Sequence, residues 1–396
     1  MTAKTFALVV ICLAWALHRY VRIPRSLEWR PSPPSDSATM KAVLYTEHGD
    51  TSVLRVHQDA PQPQLQPHQI LVHVYASSIN PCDYKYRRNE VPSWVVPKPK
   101  IPGADVAGVV VAVGSGVDVE RVRPFRVGDR VAAMLPLLHS RWGAAASYVA
   151  VDANLVAHVG PKVSLRDAAA LPLVALTTLQ ALESVTVSQS PTEAPRKRTI
   201  LVQAGAGGVG SFAIQYAKHV LQMRVIATAS SEKAEFLRSI GSDQVVDYRN
   251  EPFEEVVHNV DVVLDPVSWL YEDRTLASEV LRPGGHYLNI VGSDWAFSGT
   301  EQGNGPRSLW NWIKAKTFGP FKYSFVVVEP NGIQLQAVMD LLESATIRAV
   351  VDRTFALDDV REAYEYLEKG HATGKVVLVH EKEEVESGSA TVAEES

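Results

Sequence analysis

Cysteine is nearly absent from this chain: its 396 residues include only Cys12 and Cys82. Two thiols can build neither a disulfide framework nor a four-cysteine zinc site. Positive charge is not in excess either, the formal net charge being −5, so no field draws the protein to a polyanion and nucleic-acid binding is set aside. No apolar run reaches the roughly 20 residues that cross a bilayer comfortably. Phe6 to Leu17 stops at twelve, and no repeat of solenoid period recurs. Against these absences, apolar residues at 46% and charged residues at 21% suffice for a full core and exclude wholesale disorder. At about 100–200 residues per domain, the length implies two domains.

The ends differ in charge from the body. Residues 1–39 carry Lys4, Arg19, Arg22, Arg25 and Arg30 against Glu28 and Asp36, whereas the tail from Glu381 carries six glutamates against Lys382. The apolar run Phe6–Leu17 has three readings. A signal peptide is disfavoured by the arginines directly behind the run. A transit segment fits the absence of acids before Glu28, and a signal anchor fits a basic flank held on the cytosolic side. The anchor leads: it implies membrane association through Phe6–Leu17, facing the cytosol from the mitochondrial outer membrane or endoplasmic reticulum. A transit segment would imply the mitochondrial matrix. Pro31 to Ser37 reads as an extended linker, so residues 1–39 stand apart from the fold, and 381–396 read as an acidic disordered tail.

Between them the hydrophobic period changes once. From Met40, β-branched runs (Lys41–Tyr45, Gln69–Tyr75, Gly108–Val113, Arg126–Val131) alternate with Pro- and Gly-rich stretches and predict a mostly β region over 40–163. From about residue 164 a helical period over Ser164–Ser184 gives way to alternating strands and helices: Thr199–Gln203, Val209–Leu221, Arg224–Thr228, Ser231–Ile240 and Val260–Leu264. That alternation predicts a doubly wound parallel α/β sheet with right-handed crossovers over 164–320, with a return to the first domain over 321–380 and a last strand at Lys375–Val379.

Chemistry is concentrated behind the strand Ile200–Gln203, where Gly205-Ala206-Gly207-Gly208-Val209-Gly210 opens a helix. A G-x-G-x-x-G between strand and helix is the dinucleotide fingerprint. Gly205 makes the tight turn, Gly207 admits a pyrophosphate, Gly210 lets the helix pack close, and Gly208 and Val209 start the helix whose free N–H groups face the phosphates. Where an acid would hold a ribose 2′-hydroxyl, the chain has Ala229 and Ser230, followed by Ser231, Glu232 and Lys233. Hydroxyls and a lysine suit a 2′-phosphate, so NADPH is favoured over NADH. Glu232 argues the other way, unless it only caps the next helix.

These motifs, with Asn80-Pro81-Cys82-Asp83-Tyr84-Lys85, Ile101–Gly108, Val127–Val131, Ala169–Pro172, Leu176–Thr178 and Gly374–Val377, resemble the medium-chain dehydrogenase/reductase superfamily. Within it they are most similar to the zinc-free quinone oxidoreductase branch, which includes chloroplast-envelope quinone oxidoreductase homologues, alkenal and enone reductases, and the reticulon-interacting mitochondrial reductase. The resemblance covers Met40 to Val379 and implies a GroES-like β domain joined to a Rossmann domain. Where zinc alcohol dehydrogenases place a catalytic cysteine and Gly-His-Glu, this chain has Asn80 and Gly103-Ala104-Asp105. No metal is therefore expected, and Cys82, His139 and His158 count as strays.

The resemblance also implies roles. Lys233 and Tyr248 contact the 2′-phosphate, and Thr177, Val267, Ile290 and Gly292 lie near the nicotinamide. Asn80 orients nicotinamide or substrate, and Tyr84 or Lys85 donates a proton. Without a Lewis acid the fitting acceptors are quinones and α,β-unsaturated carbonyls, which take hydride with little activation. An NADPH-binding redox sensor with little turnover and an enoyl-thioester reductase are the competing functions. A homodimer is expected through an edge strand near Tyr287 to Val291. The aromatic stretch between Gly292 and Phe325, with Trp295, Trp310, Trp312, Phe321 and Tyr323, is read as a lid that also touches a membrane, or else as core and dimer packing.

Overall fold

The computed structural model describes residues 38–90, 96–117, 124–138, 140–186, 197–267, 269–290 and 320–381. Strands β1 (Thr39–Leu44) and β2 (Arg55–Pro61) form an antiparallel pair. Then follow β3 (Gln69–Ile79), helix α1 (Pro81–Arg87), β4 (Asp105–Val113), β5 (Arg130–Met134), β6 (Tyr148–Asp152) and β7 (Val156–His158). The chain continues through α2 (Leu165–Ala169), α3 (Pro172–Thr186), β8 (Thr199–Val202), α4 (Gly208–Gln215), β9 (Arg224–Ala229), α5 (Ala234–Ser239), β10 (Gln244–Asp247) and α6 (Phe253–Val256). It ends with β11 (Val260–Asp265), α7 (Trp269–Leu276), β12 (Leu281–Asn289), β13 (Lys322–Phe325), α8 (Gly332–Glu343), β14 (Val351–Ala356), α9 (Val360–Glu368) and β15 (Lys375–Val379).

Two sheets carry the molecule. One runs β14-β15-β3-β4-β5-β7, with β6 also paired to β3; the other is a parallel sheet in the order β10-β9-β8-β11-β12-β13. The second order is that of a doubly wound dinucleotide-binding sheet, with its switch point between β8 and β11. The strands of this sheet are buried on both faces. Ile200 and Val202 of β8 pack with Val225, Ala227, Val262 and Leu264 on one side, while Leu201 packs with Ile226, Val263 and Tyr287 on the other.

Local chemistry explains three departures from the expected elements. The helix read over Ser164–Ser184 is two helices, because Pro172 has no N–H to continue the first and suits the first position of the next. The helix after the glycine loop ends in a wider π turn at Tyr216–Val220, and Ser231–Lys233 is a 3₁₀ turn ahead of α5.

Two expectations are corrected. The chain does not leave the parallel sheet at residue 320, since β13 pairs with β12 through Tyr287↔Tyr323 and Asn289↔Phe325. The return to the first domain therefore comes after Phe325. For the same reason Tyr287 is not on an edge: β12 lies between β11 and β13 with its backbone groups already paired. Tyr323, read as part of a lid, is buried, its ring 5.2 Å from that of Tyr287. Residues 1–37, 291–319 and 382–396, hence the apolar run, Gly292, the tryptophans of the aromatic stretch and most of the acidic tail, lie outside the described residues, as does His139. Among the described residues no helix is long and apolar enough to cross a membrane.

Candidate active site

Strand register assembles the centre of the site. β3 pairs antiparallel with β4, setting Ser78 opposite Asp105. On its other side β3 pairs with β15 through Val376↔Ile79, which brings Lys375 level with Asn80 just beyond the strand. Ser78 and Asn80 are two apart and share a face, so three strands deliver Asn80, Asp105 and Lys375 to one point. Asp105 Oδ2 accepts from Ser78 Oγ at 2.7 Å and Asn80 Nδ2 at 2.8 Å, with Lys375 Nζ at 3.1 Å. Lys375 also donates to Asn80 Oδ1. Asp105 Oδ1 takes the Leu173 N–H at 2.7 Å, so the same carboxylate holds the start of α3. One turn along α3, Thr177 lies buried with its hydroxyl on Leu173 O at 2.7 Å.

The residue before Lys375 ties this centre to the glycine loop. Gly374 N donates to Ala206 O at 2.8 Å, and Gly374 bridges Gly207. Gly374 has φ +83°, and a Cβ there would lie 2.2 Å from Val350 O, so only glycine suits this contact.

The loop has the shape a pyrophosphate requires. A Cβ on Gly205 would meet Ala227 Cβ at 2.9 Å, and one on Gly210 would meet Ala204 O at 2.4 Å; these two glycines serve strand and helix packing. At Gly207 the nearest atom is Ala204 O at 3.4 Å, leaving an open cradle over the N-terminus of α4, where the first N–H groups of Gly208, Val209 and Gly210 point outward. Ser230 and Ser231 follow β9, and Tyr248 and Arg249 follow β10 with Arg249 5.8 Å from the Tyr248 ring. Lys233 donates to Thr373 Oγ1. Arg249 pairs with Glu232 at 3.4 Å, and both are half-exposed or more; the Ser230 hydroxyl, then the Glu232 backbone N–H and the Arg249 charge, hold the Glu232 carboxyl below its ordinary range. Val267, exposed and donating its N–H to Asp265 Oδ1 at 2.7 Å, lies just beyond β11, and Ile290 follows β12. Both stand at the same carboxyl edge of the sheet as the loop after β8. The residues present fit a phosphorylated dinucleotide.

Helix α1 carries the proposed acids. Asn80 turns its side chain to Lys375 and Asp105, so Asp83 reaches back to accept the Asn80 N–H at 2.8 Å. Burial pushes the Asp83 carboxyl up to about 6, offset in part by that hydrogen bond, while the Asp105 charge adds to the rise. Burial also pushes the Cys82 thiol up and lowers Lys100 to about 8; Lys100 Nζ donates to Ser140 O at 2.8 Å. Lys85 is partly buried on α1. Tyr84 packs beside the cluster of Met40, Tyr45 and Tyr364, with Arg88 5.3 Å from its ring.

Sequence reasoning assigned no role to Lys375, Asp83, Lys100, Arg249 or Thr373. Lys375 reads in sequence as an ordinary lysine at a strand start, and only its pairing with β3 reveals its place.

Residues 66–161 match the Alcohol dehydrogenase GroES-like domain family, and residues 240–378 the Zinc-binding dehydrogenase family. The chain is 35% identical to 2-methylene-furan-3-one reductase of Solanum lycopersicum over 349 residues, covering 86% of this chain and 79% of that protein. The chain belongs to the quinone oxidoreductase branch of the medium-chain dehydrogenase/reductase superfamily. A further member, the chloroplastic NADPH-dependent alkenal/one oxidoreductase of Arabidopsis thaliana, is 34% identical over 86% of this chain and 79% of its own length. The solved quinone oxidoreductase from Coxiella burnetii superposes with a TM-score of 0.71 at 28% identity, covering 86% of this chain and 99% of that one.

The second family's description names zinc, and the residues here do not fit it. The positions where zinc dehydrogenases of this superfamily place ligands hold Asn80, Ala104 and Asp105, and the Lys375 ammonium bonds two of them. A divalent cation in the same buried space would face that charge. Among the described residues no group of three or more His, Cys, Asp or Glu side chains is arranged to hold a metal ion. His158 stacks on Phe125 at 4.6 Å.

Proposed function

We propose that this protein is an NADPH-dependent reductase that transfers hydride to quinones or α,β-unsaturated carbonyls without a metal ion. The observation that carries the reading is the join of Gly374 to the glycine loop: it sets the buried Lys375–Asn80–Asp105 cluster beside the cradle for the cofactor. NADPH, when bound, supplies the hydride from its nicotinamide ring. The chain's own residues do the rest. The N–H groups of Gly208, Val209 and Gly210 hold the pyrophosphate above Gly207, and Ser230, Ser231, Lys233 and Tyr248, joined by Arg249, take the 2′-phosphate. Thr177, Val267, Ile290 and Gly292 border the nicotinamide. Asn80, fixed by two ionised neighbours, orients the ring or the acceptor carbonyl, and the helix that follows it, α1, lies where a proton must be returned. The names of the relatives, furanone, alkenal/one and quinone reductases, support an acceptor whose own conjugation spreads the incoming charge.

The reading extends to location and assembly. An alkenal/one oxidoreductase named as chloroplastic among the relatives supports an organellar setting, with residues 1–39 as address or anchor, and we take the assembly to be a homodimer.

The test is oxidation of NADPH and of NADH by the full chain with 9,10-phenanthrenequinone, a short 2-alkenal and crotonyl-CoA. Turnover is expected with NADPH on the first two. The double variant Lys233→Ala with Arg249→Ala should raise KM for NADPH about tenfold and leave NADH kinetics unchanged. Tight NADPH binding with no turnover would replace the enzyme by a redox sensor, and turnover confined to crotonyl-CoA would make it an enoyl-thioester reductase.

A further inference from the structure

Around helix α1, among the described residues, four buried side-chain atoms have no hydrogen-bond partner: Tyr45 Oη, Tyr364 Oη, Arg87 Nε and His48 Nε2. Tyr45, Arg87 and Tyr364 are each 1% exposed. Buried polar atoms of this kind are satisfied by ordered water when protein does not reach them. They are gathered in one place. The Arg87 guanidinium lies 5.6 Å from the Tyr364 ring centre, Tyr45 and Tyr364 share a packing cluster, and both tyrosines feel the charges of Asp83 and Arg87. His48 stands at the outer end, its Nδ1 3.2 Å from both Tyr86 O and Arg87 O. Those carbonyls make Nδ1 the protonated nitrogen and leave Nε2 as an acceptor.

The orphan set is complementary. Two hydroxyls and one N–H offer protons, one imidazole nitrogen accepts, and the hydroxyls both give and receive. Asp83 stands one turn before Arg87 on α1, on the same helix face, and accepts the Asn80 N–H. The remainder of Arg87 is already committed, to Gly49 O at 2.7 Å and to Glu368, so the guanidinium fixes the array and does not exchange its own proton.

We propose that Asp83 stores the proton that completes reduction of a conjugated carbonyl and that water held among Tyr45, Tyr364 and Arg87 returns one to it from the surface beside His48. This rests on the reductase reading. Hydride addition to the β-carbon of an enone leaves an enolate. The Asp83 O–H bond then breaks as a C–H bond forms at the α-carbon, through intervening water, and the carboxylate regains a proton through the tyrosine hydroxyls. In each turnover the acceptor gains two electrons and two hydrogens, NADPH is oxidised by two electrons, and one proton leaves solvent. A quinone makes a lesser demand, because the hydroquinone anion left by hydride addition is a weak base that can depart before it is protonated.

The groups facing Asp83 tune it to this task. Asp105 on β4 raises its proton affinity; Lys375 on β15 and Lys100 ahead of β4 lower it. Tyr45 after β1, Tyr364 on α9, and Cys82 and Arg87 of α1 complete the surround. The balance leaves a carboxyl that exchanges protons near neutral pH.

The experiment compares the wild type, Asp83→Asn and the double variant Tyr45→Phe with Tyr364→Phe, using NADPH with a 2-alkenal and with 9,10-phenanthrenequinone across pH 5–9. Asparagine retains an oxygen for the Asn80 N–H but carries no acidic proton. For Asp83→Asn the alkenal kcat should fall about 100-fold at pH 6 and lose its dependence on an ionisation near that pH, with a quinone loss at least tenfold smaller. The tyrosine variant should show a slowed alkenal turnover with a larger solvent isotope effect, restored by imidazole buffer. Equal losses on both acceptors, or an unchanged alkenal pH profile, would overturn the relay while leaving the reductase reading intact. A wild type that turns over neither acceptor would overturn that reading and the relay with it. Should Asp83→Asn fail to fold, Tyr364→Phe, which deletes one hydroxyl that bonds no protein atom, decides by the same isotope effect and rescue.

Discussion

Lys375 Nζ stands 3.1 Å from Asp105 Oδ2, and the two side chains are 5% and 0% exposed. An ammonium and a carboxylate withdrawn from water this fully depend on each other, because removing one leaves the other charge buried and unpaired. Lys375→Met should therefore lower stability by about 3–5 kcal/mol, read from urea midpoints. Adding Asp105→Asn to that variant should recover part of the loss. Independent, additive costs in the double-mutant cycle would show that the pair is not coupled.

The two kinds of glycine in the phosphate loop separate binding from folding. Gly207→Ala places a methyl group in open space, so its melting temperature should match the wild type while NADPH affinity falls about tenfold or more. Gly210→Ala forces a methyl group to 2.4 Å from Ala204 O, which should lower stability by about 1–3 kcal/mol whether or not nucleotide is present. Calorimetry with and without NADPH reads both outcomes. A destabilised Gly207→Ala would mean that the cradle is closed by protein and is not built for a phosphate.

Two buried imidazoles set the acid limit of stability. Burial lowers His286 to about 4, with the Lys322 charge adding to the effect, and burial lowers His380 to about 3. Each is held in place by a serine hydroxyl, Ser324 at 2.8 Å and Ser77 at 2.9 Å. Once unfolded, both bind protons near pH 6.5. The unfolded state is then the greater proton binder, so their stabilisation is complete above about pH 6.5 and is lost progressively as pH falls towards 4 and 3. For His286 the loss by pH 4 should be about 3 kcal/mol. His286→Gln should flatten the fall in urea midpoint between pH 7 and pH 4.5; an unchanged slope would place the acid sensitivity elsewhere.

The glycine loop was legible because each of its glycines answers a local backbone demand, and strand–helix alternation marked the parallel sheet and its strands β8, β9 and β11, though not their order or the short β10 between them. β13 was not legible. Lys322–Phe325 alternates polar and apolar residues but is only four residues long, too short for the pattern to mark a strand, and it pairs along the edge that β12 offers. The break at Pro172 was in principle readable from the proline itself, yet the helical period runs through it. The reaction centre was half visible. Asn80, Asp105 and Lys375 all stand in recognisable motifs, yet only sheet register reveals that Lys375, 295 residues from Asn80, joins them in one cluster. The buried hydroxyls of Tyr45 and Tyr364 are beyond sequence reasoning, since nothing in a tyrosine's neighbours along the chain announces that its oxygen will lack a partner.

The position of β15 has a consequence for biosynthesis. It lies in the interior of the first sheet, between β14 and β3, although of the described strands it is the last to be translated. The sheet begun at Gln69 therefore waits with the Ala76–Ile79 edge of β3 unpaired while the whole nucleotide-binding unit is translated. A chain interrupted before Lys375 would own a phosphate loop but no counter-ion for Asp105 and no Gly374 to brace Ala206. Synthesis of β15 and completion of the reaction centre are thus one event, so that a cofactor held by a chain interrupted before it would have no assembled centre to react in.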